Sequence, residues 1–136
     1  MRIVLDTNVI VSGLLSVYGA PAEIVKMAAS GLLVLCYDAR IISEYRAVLL
    51  RPVFKFDETH IDYFLEYIET AGSAVSTVPL DNGLPDPDDE PFLEVAIGGR
   101  AKYLVTGNLK HYPLNRRKNI PVVSPVEFME ICRKIK

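Results

Sequence analysis

Short apolar runs of strand length alternate along the chain with segments of helical periodicity, and this alternation limits the folds available to it. The apolar runs cover 3–5, 32–37, 74–78, 103–105 and 121–123, and the helical patterns cover 8–15, 22–29, 39–51, 57–71, 91–97 and the end of the chain from 125. Strands that are apolar on both faces and separated by helices form parallel sheets covered on both sides. The order therefore predicts an α/β fold with a mainly parallel sheet of four or five strands. The 136 residues contain no repeats or linkers, and we expect one domain over 1–136.

Charge and cysteine content restrict the classes of partner and the compartment. Fifteen basic and seventeen acidic residues give a net charge of −2, so nucleic-acid binding would need a local basic patch. Cys36 and Cys132 stand in apolar contexts typical of reduced thiols. The sequence shows neither a signal peptide nor an apolar run of membrane-spanning length. We expect a soluble, cytoplasmic protein without a membrane partner.

Polar side chains recur where the predicted strands end and the next helices begin. Asp6 ends the first strand, Glu44 lies in the helix after the second, and Asn108 follows the fourth. An acidic cluster leads into the helix after the third strand: Asp86, Asp88, Asp89 and Glu90. Open parallel sheets bind ligands outside the carboxyl ends of their strands. These residues therefore form the candidate site.

Each of these residues also has an ordinary structural role open to it. Asp6 could make a turn or cap a helix, the acidic cluster could favour a helix start, and Asn108 could close a turn. Glu44 lies about 40° outside the apolar stripe of its helix, where it could be a solvated charge. In that case its partner would be Arg40 or Arg51.

Taken together, acids from distant parts of the chain at one sheet edge suggest a metal site. Carboxylates gathered in a cleft raise one another's pKa unless a cation neutralises them. Oxygen ligands without His or Cys suit Mg²⁺ or Mn²⁺ better than Zn²⁺. A divalent cation held by a few carboxylates is typical of phosphodiester hydrolysis.

Four segments, in this order and spacing, resemble the PIN domain family, and more narrowly its VapC-type toxin components of toxin–antitoxin pairs. They are "IVLDTNVIVSGLL", "SEYRAVLLRP", "DPDDEPFLEVAIGGRAKYLVTGNLKHYP" and "IPVVSPVEFME", and they span essentially the whole chain. The resemblance implies a three-layer α/β/α fold and a Mg²⁺- or Mn²⁺-dependent endoribonuclease. It also implies an RNA substrate, a cognate antitoxin protein and a homodimer.

The same resemblance assigns roles to individual residues. Asp6, Glu44 and Asp89 are the expected metal ligands, with Asp88 as the neighbouring candidate. Asn108 assists at the position where the family usually has an acid. Supporting hydrogen bonds would come from Thr7, Asn8 and Thr106.

Asn108 keeps a second function open. The fourth motif usually reads Thr-Gly-Asp, whereas this chain has Asn108, whose amide brings no charge and cannot act as a base. A catalytically weak or inactive PIN module that binds RNA or a protein is the alternative. A phosphoryl-transfer enzyme with Asp6 as acceptor fits poorly, because a dehalogenase-type site needs an Asp where Asn8 stands.

Two surfaces are predicted for partners. The basic rim for nucleic acid contains Lys110, His111, Arg116, Arg117, Lys118 and Arg46, with Arg51 as a further candidate. Apolar positions beyond the needs of a small sheet suggest self-association through Val25, Met27, Tyr63 and Tyr67.

Overall fold

A computed structural model describes residues 1–135, which form six α-helices around a five-stranded sheet. The strands are β1 (Arg2–Leu5), β2 (Val34–Tyr37), β3 (Ser73–Ala74), β4 (Tyr103–Val105) and β5 (Val122–Val123). The helices are α1 (Thr7–Leu15), α2 (Ala20–Ala29), α3 (Ala39–Leu49), α4 (Glu58–Ala71), α5 (Glu90–Gly98) and α6 (Pro125–Lys134). The predicted α/β/α fold with a parallel sheet is confirmed.

The sheet is parallel throughout and has the order β3-β2-β1-β4-β5, so β1 occupies the centre. In the pairing of β1 with β4, Val4 is level with Leu104, and Leu5 is level with Val105. All four of these side chains are buried, which explains the uninterrupted apolar runs in both strands. The residues that follow the two strands therefore emerge side by side at one edge of the sheet.

The third strand is shorter than the run at 74–78 predicted. β3 covers only Ser73 and Ala74, and the last hydrogen bond to β2 is donated by the Val75 N–H to the Tyr37 carbonyl, at 2.8 Å. The chain then leaves the sheet and runs beside α5, where Gly98 and Gly99 allow its close approach. Val75 packs against the core outside the sheet, whereas Val78 is 80% exposed, so neither residue extends the strand pairing.

Side-chain caps fix where several helices begin. The Asp38 carboxylate accepts a hydrogen bond from the Ile41 N–H at the start of α3. Ser124 and Glu127 form a capping box at the start of α6, with Pro125 in its first turn. The predicted starts of these two helices are confirmed, and such caps each contribute about 1 kcal/mol.

α1 and α2 pack closely because Gly13 has no side chain. A Cβ atom at Gly13 would lie 2.5 Å from Val25 Cγ2 and 2.7 Å from the Pro21 carbonyl oxygen. Val25 is consequently only 7% exposed, so its proposed part in a self-association surface is wrong. Across residues 1–135, no single helix is long and apolar enough to cross a membrane, and α1 and α2 pass that test only as a pair bent by 98°.

We expect Gly13→Ala to lower the free energy of unfolding by about 1–3 kcal/mol, the usual cost of overpacking. The added methyl group meets backbone at Pro21, which cannot rotate away as a side chain could. Urea denaturation measures the change, with Ser12→Ala, an exposed position of the same helix, as the control. Equal stabilities for Gly13→Ala and Ser12→Ala would show that α1 and α2 separate without cost.

Candidate active site

A cleft of about 400 Å³ opens at the carboxyl ends of β1 and β4. It is lined by all the acids of the predicted metal site, namely Asp6, Glu44, Asp88 and Asp89, together with Asp86. The predicted supporting residues Thr7 and Asn8 also line it, as does Asn108. Residues separated by about a hundred positions in the sequence therefore meet in one concavity, as expected of ligand sites in parallel α/β proteins.

Asp6 is held at the end of β1 by contacts from β4 and the loop after it. Its carboxylate makes no cap for α1. Instead, Oδ2 accepts hydrogen bonds from Thr106 Oγ1 at 2.8 Å and from the Tyr112 hydroxyl at 3.1 Å. Burial raises the pKa of Asp6, and the hydrogen bonds from Thr106 and Tyr112 oppose the rise. With Oδ2 occupied by two donors, Oδ1 is the oxygen available to a ligand.

Glu44 faces the cleft rather than making the ion pair that its neighbours on α3 suggested. It accepts a hydrogen bond from the Thr7 hydroxyl. Arg40 pairs instead with Asp38, at 2.7 Å, and with Glu94, at 2.8 Å. Burial is the main cause that raises the pKa of Glu44, and the charge of Asp6 adds to it. Glu44 is therefore tied to the end of β1 through Thr7.

The acidic residues before α5 have different structural roles. Asp86 makes the local cap, accepting a hydrogen bond from the Asp88 N–H at 2.9 Å, while Asp88 is exposed at the cleft. Asp89 is 8% exposed and caps nothing. Among the contacts of residues 1–135, its Oδ2 has no hydrogen-bond partner, although His111 Nδ1 lies 3.0 Å away. Burial and the charge of Asp6 raise the pKa of Asp89 to about 6.

The turn after β4 is held by side chains from both sides. The Gly107 N–H donates to Asn8 Oδ1 at 2.9 Å, and the Asn108 N–H donates to Thr106 Oγ1 at 3.0 Å. Asn8 and Thr106 thus position the backbone that presents Asn108. The Asn108 side chain is exposed and lies between the cleft and a second groove lined by Lys110, His111 and Ser124.

The donor chemistry of the cleft fits a hard divalent cation. Every acid of the lining offers carboxylate oxygens, and Asp89 Oδ2, which His111 Nδ1 approaches at 3.0 Å, makes no hydrogen bond of good geometry within residues 1–135. Within the part of the chain that the structure describes, no three His, Cys, Asp or Glu side chains already converge on a single point. Mg²⁺ keeps several of its waters and needs only one or two carboxylates as direct ligands. Acids that do not converge on one point can therefore still bind Mg²⁺ or Mn²⁺, partly through those waters.

The structure separates the predicted basic rim into two groups. His111 and Arg51 line the cleft, and Lys110 lines the adjoining groove. The other four lie outside the cleft lining and have partners of their own. Arg46 pairs with Glu58 and Asp62, Arg116 donates to the Gly83 carbonyl, Arg117 to the Tyr112 carbonyl, and Lys118 pairs with Asp81.

Two residues near the site were not anticipated from sequence. Tyr112 is fully buried and hydrogen-bonds Asp6, and burial together with the Asp6 charge raises its pKa. Glu94 is 7% exposed and joins Arg40 to the Leu80 N–H, which attaches the 75–84 segment to α5. For Glu94 a signal existed, because it interrupts the apolar run of residues 92–97. A tyrosine in a loop gives no comparable signal.

Comparison with known proteins identifies the family of the chain. The family model of the PIN domain matches residues 2–110, so the chain belongs to the PIN domain family. No curated protein sequence matches it. Its fold is similar to a chain in the crystal structure of VapBC2 from Rickettsia felis bound to a DNA fragment from the promoter. That likeness has a TM-score of 0.54 at 14% identity and covers 91% of this chain and 98% of the other.

We expect Asp89→Asn to stabilise the metal-free protein near neutral pH. The raised pKa of Asp89 means that ionisation costs more in the folded than in the unfolded chain. Stability of the parent should therefore fall as pH rises through about 6, and the variant should escape this loss. Solvent at the cleft mouth screens the charge, so the gain should be about 1 kcal/mol.

Thermal melts in a chelator across the range from about pH 4 to about pH 7.5 measure the effect, because the carboxyl is largely protonated at the lower end. Asp88→Asn is the matched control, since it removes the same charge from an exposed position of the same cleft. If the difference in melting temperature between the parent and Asp89→Asn did not change with pH, ionisation of Asp89 would not be the cause of the lost stability.

Proposed function

We propose that this protein is a metal-dependent endoribonuclease that hydrolyses RNA phosphodiesters. The observation that carries the proposal is the shared position of Asp6, Glu44 and Asp89 in one cleft of a PIN domain. Mg²⁺ or Mn²⁺, when bound, supplies neutralisation of phosphate charge and activation of water. Asp6, Glu44 and Asp89 would hold it, with Asp88 nearby.

The residues around these acids have positioning roles in the proposal. Thr106 and Tyr112 fix one oxygen of Asp6, which keeps the other directed to the ligand. Thr7 fixes Glu44, and Asn8 holds the turn that presents Asn108. Pre-positioned carboxylates lose little conformational freedom when a cation and a phosphate bind. The amide of Asn108 can orient water or phosphate but adds no negative charge.

We further propose that the chain is the toxin of a toxin–antitoxin pair and forms a homodimer. Its fold is similar to a chain of the VapBC2 complex, which supports an antitoxin partner. For self-association, Tyr63 is 69% exposed and Tyr67 is 37% exposed on α4, while Met27 on α2 is partly buried. Exposed aromatic side chains on one helix suit a contact with a second copy.

The alternative is a PIN module that binds RNA or a protein without cutting. Asn108 favours it, because two-cation hydrolysis needs enough negative charge to hold cations about 4 Å apart. The 3.0 Å contact between Asp89 Oδ2 and His111 Nδ1 also favours it, since the imidazole stands against an oxygen that would bind a cation.

Metal titration of RNA cleavage by the parent, Asn108→Asp and Asp6→Asn distinguishes the two functions. We expect slow cleavage by the parent and none by Asp6→Asn. Asn108→Asp adds a negative charge, so it should lower the metal midpoint by about tenfold, or roughly 1.4 kcal/mol. An unchanged midpoint and rate would make Asn108 a turn residue. Cleavage by Asn108→Asp alone would establish the non-catalytic alternative for the natural chain.

Lys110 should contribute to RNA binding, and Arg46 should not. Lys110 is exposed beside the cleft, whereas Arg46 is engaged by two acids of α4. Lys110→Ala should reduce the slope of log Kd against log salt concentration by the amount expected for the loss of about one phosphate contact. Arg46→Ala is the control with the same loss of charge. Equal slopes for the two variants would remove Lys110 from the interface.

A further inference from the structure

One wall of the cleft consists of an apolar, a basic and an aromatic side chain and contains no acid. It is built by the end of α3 and the 3-10 turn Pro52–Phe54 that follows. Val48, Arg51 and Phe54 line this wall, and the acids of the 86–89 segment and Asn108 lie elsewhere in the lining. An aromatic ring beside a cation, in the same cleft as a cluster of carboxylates, is not needed to bind a metal ion.

Phe54 is supported from behind by a second aromatic ring. The rings of Phe54 and Phe56 are stacked, with centroids 5.9 Å apart and an interplanar angle of 28°. Phe56 packs against the hydrophobic core, whereas Phe54 lines the cleft. Phe56 therefore holds the Phe54 ring in position. The Phe54 ring needs no rearrangement to present an aromatic surface to a ligand.

The backbone of this turn is also fixed. Pro52 restricts the first position of the turn, and the Phe54 N–H donates to the Arg51 carbonyl at 3.1 Å. Lys55 then adopts a left-handed conformation, with φ of 55°, and its N–H donates to the Pro52 carbonyl at 3.2 Å. The short segment is held by its own hydrogen bonds, so the backbone positions of Phe54 and Arg51 are fixed relative to each other.

Arg51 differs from the other arginines of this helical segment. Arg40 and Arg46 each pair with two acids, whereas in the described range 1–135 Arg51 makes no ion pair within 4 Å. It is exposed and lines the cleft, and its charge lowers the pKa of Glu44. A guanidinium in this position can bind a phosphate through two parallel hydrogen bonds.

We propose that Phe54 is a stacking platform for a nucleobase of single-stranded RNA and that Arg51 holds a phosphate of the same strand. This inference rests on the proposed ribonuclease function and names its substrate class. Bases of a paired helix are stacked on one another, so only an unpaired base can lie on Phe54. A guanidinium in the same lining as a partly exposed ring favours an anionic strand with planar bases over an apolar peptide.

The test is a double-mutant cycle between the ring and the base. Two probes are compared: a short single-stranded oligoribonucleotide and a fully abasic ribose-phosphate strand of the same length. Each is titrated by fluorescence anisotropy against the parent and Phe54→Ala. Every protein carries Asp6→Asn to prevent cleavage during the titration. Stacking on one aromatic residue should make the parent prefer the base-containing strand by about tenfold.

We expect Phe54→Ala to remove this preference while leaving the affinity for the abasic strand unchanged. Phe54→Trp should retain it, because a planar ring remains, and Phe54→Leu should lose it while keeping apolar bulk. Val53→Ala is the matched control, since Val53 belongs to the same turn, is 76% exposed and lies outside the cleft lining. Arg51→Ala should weaken binding of both probes equally.

Several results would overturn the inference. If the parent binds RNA without a preference for bases, the platform is absent although the proposed function stands. If the parent shows a preference that Phe54→Ala leaves intact, the ring does not contact the base and the inference is wrong although the proposed function stands. If the parent binds neither probe, the proposed function fails and the inference fails with it.

Discussion

The parallel register between β1 and β4 is the constraint on which the cleft depends. It places Leu5 level with Val105, so Asp6 and Thr106 leave the sheet together and their side chains hydrogen-bond. Slipping the register by one residue would turn Thr106 to the opposite face and leave the Asp6 carboxylate buried without this donor. A buried polar group without a hydrogen bond costs on the order of 2 kcal/mol or more. The apolar packing of the two strands and the geometry of Asp6 are therefore fixed by the same pairing.

Five carboxylates line one cleft and repel one another, and the fold keeps them together despite this repulsion. Burial and the charge of Asp6 raise the pKa of both Glu44 and Asp89. Thr7 donates a hydrogen bond that favours the ionised form of Glu44, and Thr106 and Tyr112 donate to Asp6. Arg51 contributes a permanent positive charge to the lining, and His111 Nδ1 lies 3.0 Å from Asp89 Oδ2. Because charge-neutral side chains would pack here at lower cost, a group of acids so arranged is typical of a functional site. A divalent cation is the simplest partner for it.

Sequence patterns were sufficient for the framework because the strands and helices are decided by local features. Apolar runs of three to six residues and caps such as Asp38 and Ser124 predicted most elements, and the strand-end positions predicted which acids share the cleft. Contacts between residues far apart in the sequence could not be predicted from these local patterns. Arg40 is four residues from Glu44, yet it pairs with Glu94, which is 54 positions away in sequence.

The same limitation explains the residues that were missed or misplaced. Tyr112 reaches Asp6 only through the path of the loop after β4, and the partners of Arg116 and Lys118 lie in the irregular segment around 81–83. Periodicity alone places Val25 among the candidates for a self-association surface, because it does not reveal that Gly13 brings α1 against this side chain. Phe54 belongs to a short turn without periodicity, and only the structure shows that its ring reaches the acidic cleft.

The central claim is that Asp6, Glu44 and Asp89 hold a divalent cation, and anomalous diffraction from crystals grown with Mn²⁺ tests it most directly. The three carboxylates do not meet at a point without a cation, so binding should draw them together. The account predicts a manganese peak in the cleft within coordination distance of the Asp6 carboxylate, and its loss in crystals of Asp6→Asn. Manganese bound elsewhere while the cleft stays empty, or a cleft peak that survives Asp6→Asn, would contradict it.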